Sequence, residues 1–229
     1  MTKIPGGLNA IEALAAHHQN LHELNLTYVD HLMVHYPADW AVSPDKSSKE
    51  ARQEGWLALE NFYYDFKARS IGFSHYCSRH IDDILEIATV RPSINQVEYH
   101  VGSGDVDDVI DKCRSSNITF MSFSPLCGPC QAVPDDSLID GELVTRIADK
   151  YKNISGSQIA LRYIVQQALA VAKDTGNYPF LGGIIPRSNN MDHIISNRDI
   201  FSFELTEEDM MALGEVNSPS ASRGDCDVP

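Results

Sequence analysis

The chain alternates between stretches whose apolar residues recur every three to four positions and shorter stretches that are apolar almost throughout. Asn9 can cap the first periodic stretch, in which Ile11, Leu14, Ala15, Leu21 and Leu24 share one helical face. Tyr28 to His35 is short, apolar and partly alternating. It predicts a strand ending at Tyr36-Pro37, where proline removes a ladder donor. From Lys49 to about Lys67, Ala51, Trp56, Leu57, Leu59, Phe62, Tyr63 and Phe66 predict a long amphipathic helix, and Ser70 to Ser74 a buried strand after it. The alternation then repeats. Residues 78–89 predict a helix with Ile81, Ile84, Leu85 and Ala88 on one face, 93–98 a strand, 106–114 a helix and 118–123 a strand. Two successive helices follow over 141–152 and 157–172, then a strand over 181–185 and helices over 192–197 and 206–216. Asn217 to Pro229, rich in Ser, Pro, Gly and Asp, predicts a mobile tail.

Strands separated by helical patterns imply an α/β chain with a parallel sheet and right-handed crossovers. No repeat or linker divides it, so one domain is expected over 1–216 with the tail at 217–229. Composition agrees: 229 residues, 43% of them apolar and 22% charged, can bury a sizeable core. The 32 acidic and 18 basic residues give a net charge of -14, which opposes a nucleic-acid groove or an anionic membrane surface. No apolar run approaches the roughly 20 residues of a membrane span. Met1 to Gly7 lacks the apolar core of a secretory signal, so a cytoplasmic, reducing setting is expected. Five cysteines, an odd number, argue against a disulfide framework; Cys77 and Cys113 read as ordinary thiols, and the sequons at Asn25, Asn117 and Asn153 carry no weight.

In parallel α/β folds, chemistry collects where strands give way to loops at their carboxyl ends. Those positions are polar here: Lys3, His35, Ser74-His75, Gln96 with Glu98, Ser124-Pro125 and Arg187-Ser188. The blocks around them, YVDHLMVHYP (28–37), KARSIGFSHY (67–76), NQVEYH (95–100), SFSPL (122–126), IPRS (185–188) and FELTEEDM (203–210), resemble the aldo-keto reductase family from Lys3 to about Asn217. The resemblance implies a (β/α)8 barrel of the TIM type that uses NADP(H) to move a hydride between nicotinamide and an aldehyde, ketone or alcohol, with no metal. The family's catalytic tyrosine and aspartate fall upstream of Lys3. The resemblance therefore implies a barrel lacking roughly its first two βα units.

Residue by residue, the resemblance makes His35 the histidine that orients the substrate carbonyl and Lys3 the lysine that lowers the acid's pKa. Ser74, His75 and Gln96 match positions that bond the nicotinamide carboxamide, with His75 in place of the usual asparagine. Phe123 takes the ring-stacking place, and Ser124 and Leu126 the pyrophosphate stretch. Arg187, Ser188 and Asn189 match the segment for the adenosine 2′-phosphate, His193 stands where a second arginine is usual, and Asn197 is retained near the adenine.

Two functional classes stay open: a carbonyl reductase acting on a small molecule, and a non-catalytic nucleotide-binding or regulatory relative lacking the proton donor. A monomer or weak oligomer is expected for either. Three other motifs carry less. Cys127-Gly128-Pro129-Cys130 has redox spacing, but Pro134 interrupts the helix such a pair would need. His75, Cys77 and His80 lack a fourth ligand at metal spacing, and His17, His18 and His22 read as a solvated helix face. Arg223-Gly224-Asp225 reads as incidental.

Overall fold

The computed structural model describes residues 1–38, 46–126, 138–175, 181–217 and 226, with 171–175 described by backbone alone. Along the chain run β1 (Thr2–Ile4), α1 (Ala10–Glu23), β2 (Leu32–Val34), α2 (Ser48–Tyr64), β3 (Ile71–Ser74), α3 (Ser78–Leu85) and β4 (Ile94–Glu98). After a 3-10 turn at Val106–Asp108 come α4 (Val109–Ser115), β5 (Thr119–Phe123), α5 (Glu142–Ala148), α6 (Gly156–Thr175), β6 (Leu181–Ile185), α7 (Met191–Arg198) and α8 (Glu207–Gly214). Among the described residues no helix is long and apolar enough to cross a membrane.

The six strands lie in one sheet in chain order, and β1 to β4 pair in parallel. An order that never reverses is the winding of a (β/α)8 barrel, here with fewer units, and not of a doubly wound open sheet. The register sets Lys3 beside Met33, Met33 beside Gly72, and Ser74 beside Gln96. Gly72 has to be glycine: a Cβ there would fall 2.4 Å from the Ile94 carbonyl oxygen and 2.9 Å from Nε2 of His31.

The chain forms two compact units, residues 1–97 with 107–120 and 224–229, and residues 98–106 with 121–223. In the first, β2 and β3 are buried along their whole length, as parallel strands covered on both faces should be. Trp56, Leu59 and Phe62 of α2 belong to the same core as Phe73 and Tyr76, whose rings stack 4.3 Å apart. Arg52, buried on α2, donates from Nε and Nη2 to the Asp83 carboxylate of α3. In the second unit, Val144, Ile147, Ile159, Ala160, Ile164, Leu205 and Leu213 form the core. There the buried Asp209 carboxylate accepts from Lys150, Tyr151 and Thr206, which hold it well below the usual carboxylate range against the opposing effect of burial.

Helix ends follow capping chemistry. Asn9 and Ser47 each open a helix with a capping box. Asn25 and Asn117 adopt left-handed φ (52° and 56°) just past α1 and α4, where their neighbours close six-to-one backbone bonds. Two of the three sequons are therefore helix terminators. Phe66 fills the same position after α2 with φ 56°.

Several expectations need correction. In α1 the buried stripe is Ala13, His17 and Leu21, while Ile11, Leu14 and Leu24 are exposed. His17 is not solvated: its ring meets Phe62 at 4.4 Å, and burial lowers its pKa. The α3 helix stops at Leu85, short of Thr89, because the buried Glu60 carboxylate accepts from the Thr89 and Val90 amides. β2 is shorter than 28–35, since Val29 makes only an isolated bridge with Ala68. β1 is too short for a period to show. Cys77 is not a free thiol but is disulfide-bonded to Cys226, with Cα atoms 5.4 Å apart, whereas Cys113 is a buried thiol.

Candidate functional site

In the first unit, the carboxyl ends of β1 to β4 bring together five of the residues read from the sequence. Lys3, half-buried on β1, donates from Nζ to Gln96 Oε1 (2.7 Å) and to Ser74 Oγ (3.2 Å). Ser74 Oγ in turn donates to the Gln96 main-chain oxygen (2.8 Å), which also accepts from the His75 amide (2.9 Å). The ends of β1, β3 and β4 are thereby cross-linked around one ammonium. Burial pushes the Lys3 pKa down to about 8.

His35 leaves β2 with its amide donating to the Ile4 carbonyl (2.8 Å). Its ring stacks on Tyr36 at 4.3 Å, and the Tyr36 ring also meets that of His75 at 4.4 Å. Burial first, then the charges of Lys3 and His75, lowers the His35 pKa to about 4, so its imidazole is neutral at physiological pH. Tyr36 is the site residue missed in the sequence, where it reads as the end of a strand. Its signal was its place between His35 and Pro37. Gly6 makes room for this corner, because a Cβ there would fall 2.0 Å from the Tyr36 carbonyl oxygen.

His75 follows β3 with φ 62°, and Ser124 follows β5 with φ 47°. Left-handed backbone at a residue with a side chain is strained, of order 1 kcal/mol, and such strain clusters at functional sites. His80 Nδ1 accepts from the Cys77 amide (3.2 Å), so this histidine caps α3. Asn95 donates from Nδ2 to the Tyr76 carbonyl (2.8 Å) and steadies the same turn.

The second unit carries the remaining candidates in a looser arrangement. Phe123, half-buried, accepts the Tyr99 amide at its carbonyl (3.2 Å), and Leu126 packs on the apolar core. Glu98 is buried 3.6 Å from His100 Nε2. Arg187 and Asn189 are exposed, and Ser188 Oγ accepts from the Asn190 amide (3.0 Å) just ahead of α7. His193 is exposed on α7. Asn197 lines an apolar cleft of about 540 Å³ between α6, β6 and α7, and its Oδ1 is buried there with no hydrogen-bond partner among the described residues. Cys127, Cys130 and Arg223-Gly224-Asp225 lie outside the described residues.

Comparison with known proteins points one way. The profile described as "Aldo/keto reductase family" matches residues 2–218. Glyoxal reductase of Bacillus subtilis (strain 168) is 32% identical over 204 residues, covering 89% of this chain and 62% of its own length. Aldo-keto reductase family 1 member A1 of Gallus gallus is 30% identical over 212 residues, covering 87% and 60%. The chain thus spans about six tenths of the length of these curated relatives. The crystal structure of MGS-M4, an aldo-keto reductase enzyme from a Medee basin deep-sea metagenome library, superposes with a TM-score of 0.77 at 26% identity, covering 96% of this chain and 72% of that one.

Proposed function

Since this chain belongs to the aldo/keto reductase family, we propose that it is an NADP(H)-binding oxidoreductase that interconverts a small aldehyde or ketone with the alcohol. The observation carrying this reading is the half-buried Lys3 ammonium bonded to Ser74 and Gln96 beside the His35–Tyr36–His75 stack. Bound NADP(H) supplies the hydride chemistry.

The residues fit that group. Ser74, His75 and Gln96 offer the mixed donors and acceptors that a carboxamide needs, and Phe123 an aromatic face for the nicotinamide ring. Ser124 and Leu126 would border the pyrophosphate. Arg187 and Ser188, with Asn189 beside them, offer a guanidinium and a hydroxyl to a 2′-phosphate near the amino end of α7. Asn197 Oδ1, buried without a partner in its apolar cleft, is a ready acceptor for an exocyclic amine. His193 supplies a second, weaker cation at acid pH.

For the substrate, neutral His35 donates an imidazole N–H to the carbonyl oxygen and so orients it. Lys3 adds positive charge that would favour proton release by an acid, the tyrosine that the family resemblance places upstream of Lys3. That assistance fades as the pH rises through about 8, where Lys3 gives up its own proton. A cytoplasmic setting suits this chemistry.

A second reading, a nucleotide-binding or regulatory relative without turnover, draws support from one fact: among the described residues, Lys3 Nζ donates to Ser74 and Gln96 and to no phenol. Titration of the chain with NADPH and NADH by fluorescence, followed by a test aldehyde, separates the two. Tighter binding of NADPH than of NADH is the expected result; turnover then selects the first reading, binding without turnover the second, and no binding of either cofactor overturns both.

A further inference from the structure

We propose that the Cys77–Cys226 disulfide is a thiol-exchange site that fastens Cys226 to the turn bearing Ser74 and His75, and that a dithiol reductant releases it. The two cysteines are 149 residues apart in sequence. Cys77 comes two residues after His75 and immediately before α3. A second tie holds the same place: Arg79 Nη2 donates to the Cys226 carbonyl oxygen (2.9 Å). The docked residue is thus gripped by the first turn of α3 as well as by the covalent bond.

Accessibility assigns the chemistry. Cys77 is 4% exposed, whereas Cys226 is partly exposed, so the sulfur that a reductant meets is that of Cys226. The leaving sulfur, Cys77 Sγ, sits at the amino end of an eight-residue helix, where free amides and the helix dipole favour a thiolate. The reductant's first thiolate bonds to Cys226 Sγ as the Cys77–Cys226 bond breaks, and the electron pair leaves on Cys77, which takes up a proton. The reductant's second thiolate then attacks the mixed disulfide, and Cys226 departs as thiolate and is protonated. The protein gains two electrons and two protons, and the dithiol becomes a disulfide. In a reducing compartment such a bond is exchangeable, not permanent.

Release leaves the β3–α3 turn held by packing and by hydrogen bonds, among them Ser78 N–H to the Asp107 carboxylate (2.8 Å) and Asn95 to Tyr76. The left-handed His75 lies on this turn, so exchange should loosen the stack on Tyr36. Its bearing on cofactor affinity rests on the function proposed above.

The test starts with the air-oxidised chain, alkylated without reduction, digested and mapped by mass spectrometry. A peptide joining positions 77 and 226 is expected, with Cys113 unlinked. Hydrogen exchange over residues 75–81 should then be several-fold faster after dithiothreitol treatment. The Cys226→Ser chain should match the reduced protein with or without dithiothreitol. A link from Cys77 to Cys127 or Cys130, no link at all, or identical exchange in the oxidised and reduced chains overturns the proposal. NADPH binding to neither form would defeat the functional reading alone, since the link and the exchange rates are read without cofactor.

Discussion

The two clusters of candidate residues are built by opposite means. In the first unit Lys3, Ser74, His75 and Gln96 are tied to one another and to strand backbone, and three of the four are buried. In the second unit Arg187, Asn189 and His193 stand in solvent on a loop and a helix face. One cluster is set by folding, so damage to it should register in stability as well as in binding. The other has little to lose in the free chain, so damage to it should register in binding alone.

The largest expected effect is a pH dependence confined to the first unit. His31 is buried, and its Nδ1 lies 2.8 Å from Ser70 Oγ, which itself donates to the Asp30 carbonyl; Nδ1 therefore carries the proton. The bare Nε2 faces Gly72 without a hydrogen-bond partner. Burial, then the charge of the amino terminus, holds the His31 pKa down to about 4. The unfolded chain binds this proton near pH 6.5 and the folded chain resists it, so the stability is intact above pH 6.5 and is lost as pH falls toward 4. A shift of this size is worth about 3 kcal/mol. Urea unfolding at pH 7 and pH 4 should show the loss, and His31→Gln should reduce it, leaving the share of His35 and His17, whose pKa values burial also lowers; an unchanged pH slope in that variant would assign the acid sensitivity elsewhere.

Next in size is Gln96→Leu. The substitution keeps the volume but removes the acceptor at 2.7 Å from Lys3, leaving the ammonium with Ser74. Hydrogen bonds to charged groups carry roughly 1.5–3 kcal/mol, so the denaturation midpoint should drop and NADPH binding should weaken together. Unchanged stability in this variant would mean that the first cluster is no better preformed than the second.

Arg187→Ala is the matching test on the other side. Stability should stay within about 0.5 kcal/mol, as for most exposed substitutions. NADPH affinity should fall roughly tenfold, which corresponds to about 1.4 kcal/mol, while NADH affinity should hardly move. Equal losses for the two cofactors would mean that Arg187 does not meet the 2′-phosphate.

The contrast also explains what the sequence discloses. Lys3, His35, Ser74, His75 and Gln96 are legible because polar side chains at the ends of otherwise apolar strands have few structural reasons to be there, and register alone then brings them together. Tyr36 is not legible in that way. An aromatic next to a strand reads as packing, and its position between two imidazoles depends on how the loops after β2 and β3 turn. Nor is the buried face of α1 legible, since a small Ala13 and a polar His17, whose ring meets Phe62, take it in place of Ile11 and Leu14. The Cys77–Cys226 bond joins residues too far apart in sequence for spacing to suggest it.

The smallest effect concerns a position where local and global preferences conflict. Asn25, Phe66 and Asn117 all end helices in left-handed backbone with the same closing hydrogen bonds. Asparagine tolerates that conformation; phenylalanine has no polar group to relieve it, and its ring is 87% exposed. The strain at Phe66 is therefore offset by little packing. Phe66→Gly should relieve roughly 1 kcal/mol of left-handed strain, less the extra entropy that glycine gives the unfolded chain. The net gain expected is a few tenths of a kcal/mol, read as a higher urea midpoint with cofactor binding unchanged. A lower midpoint would show that the ring makes a stabilising contact despite its exposure.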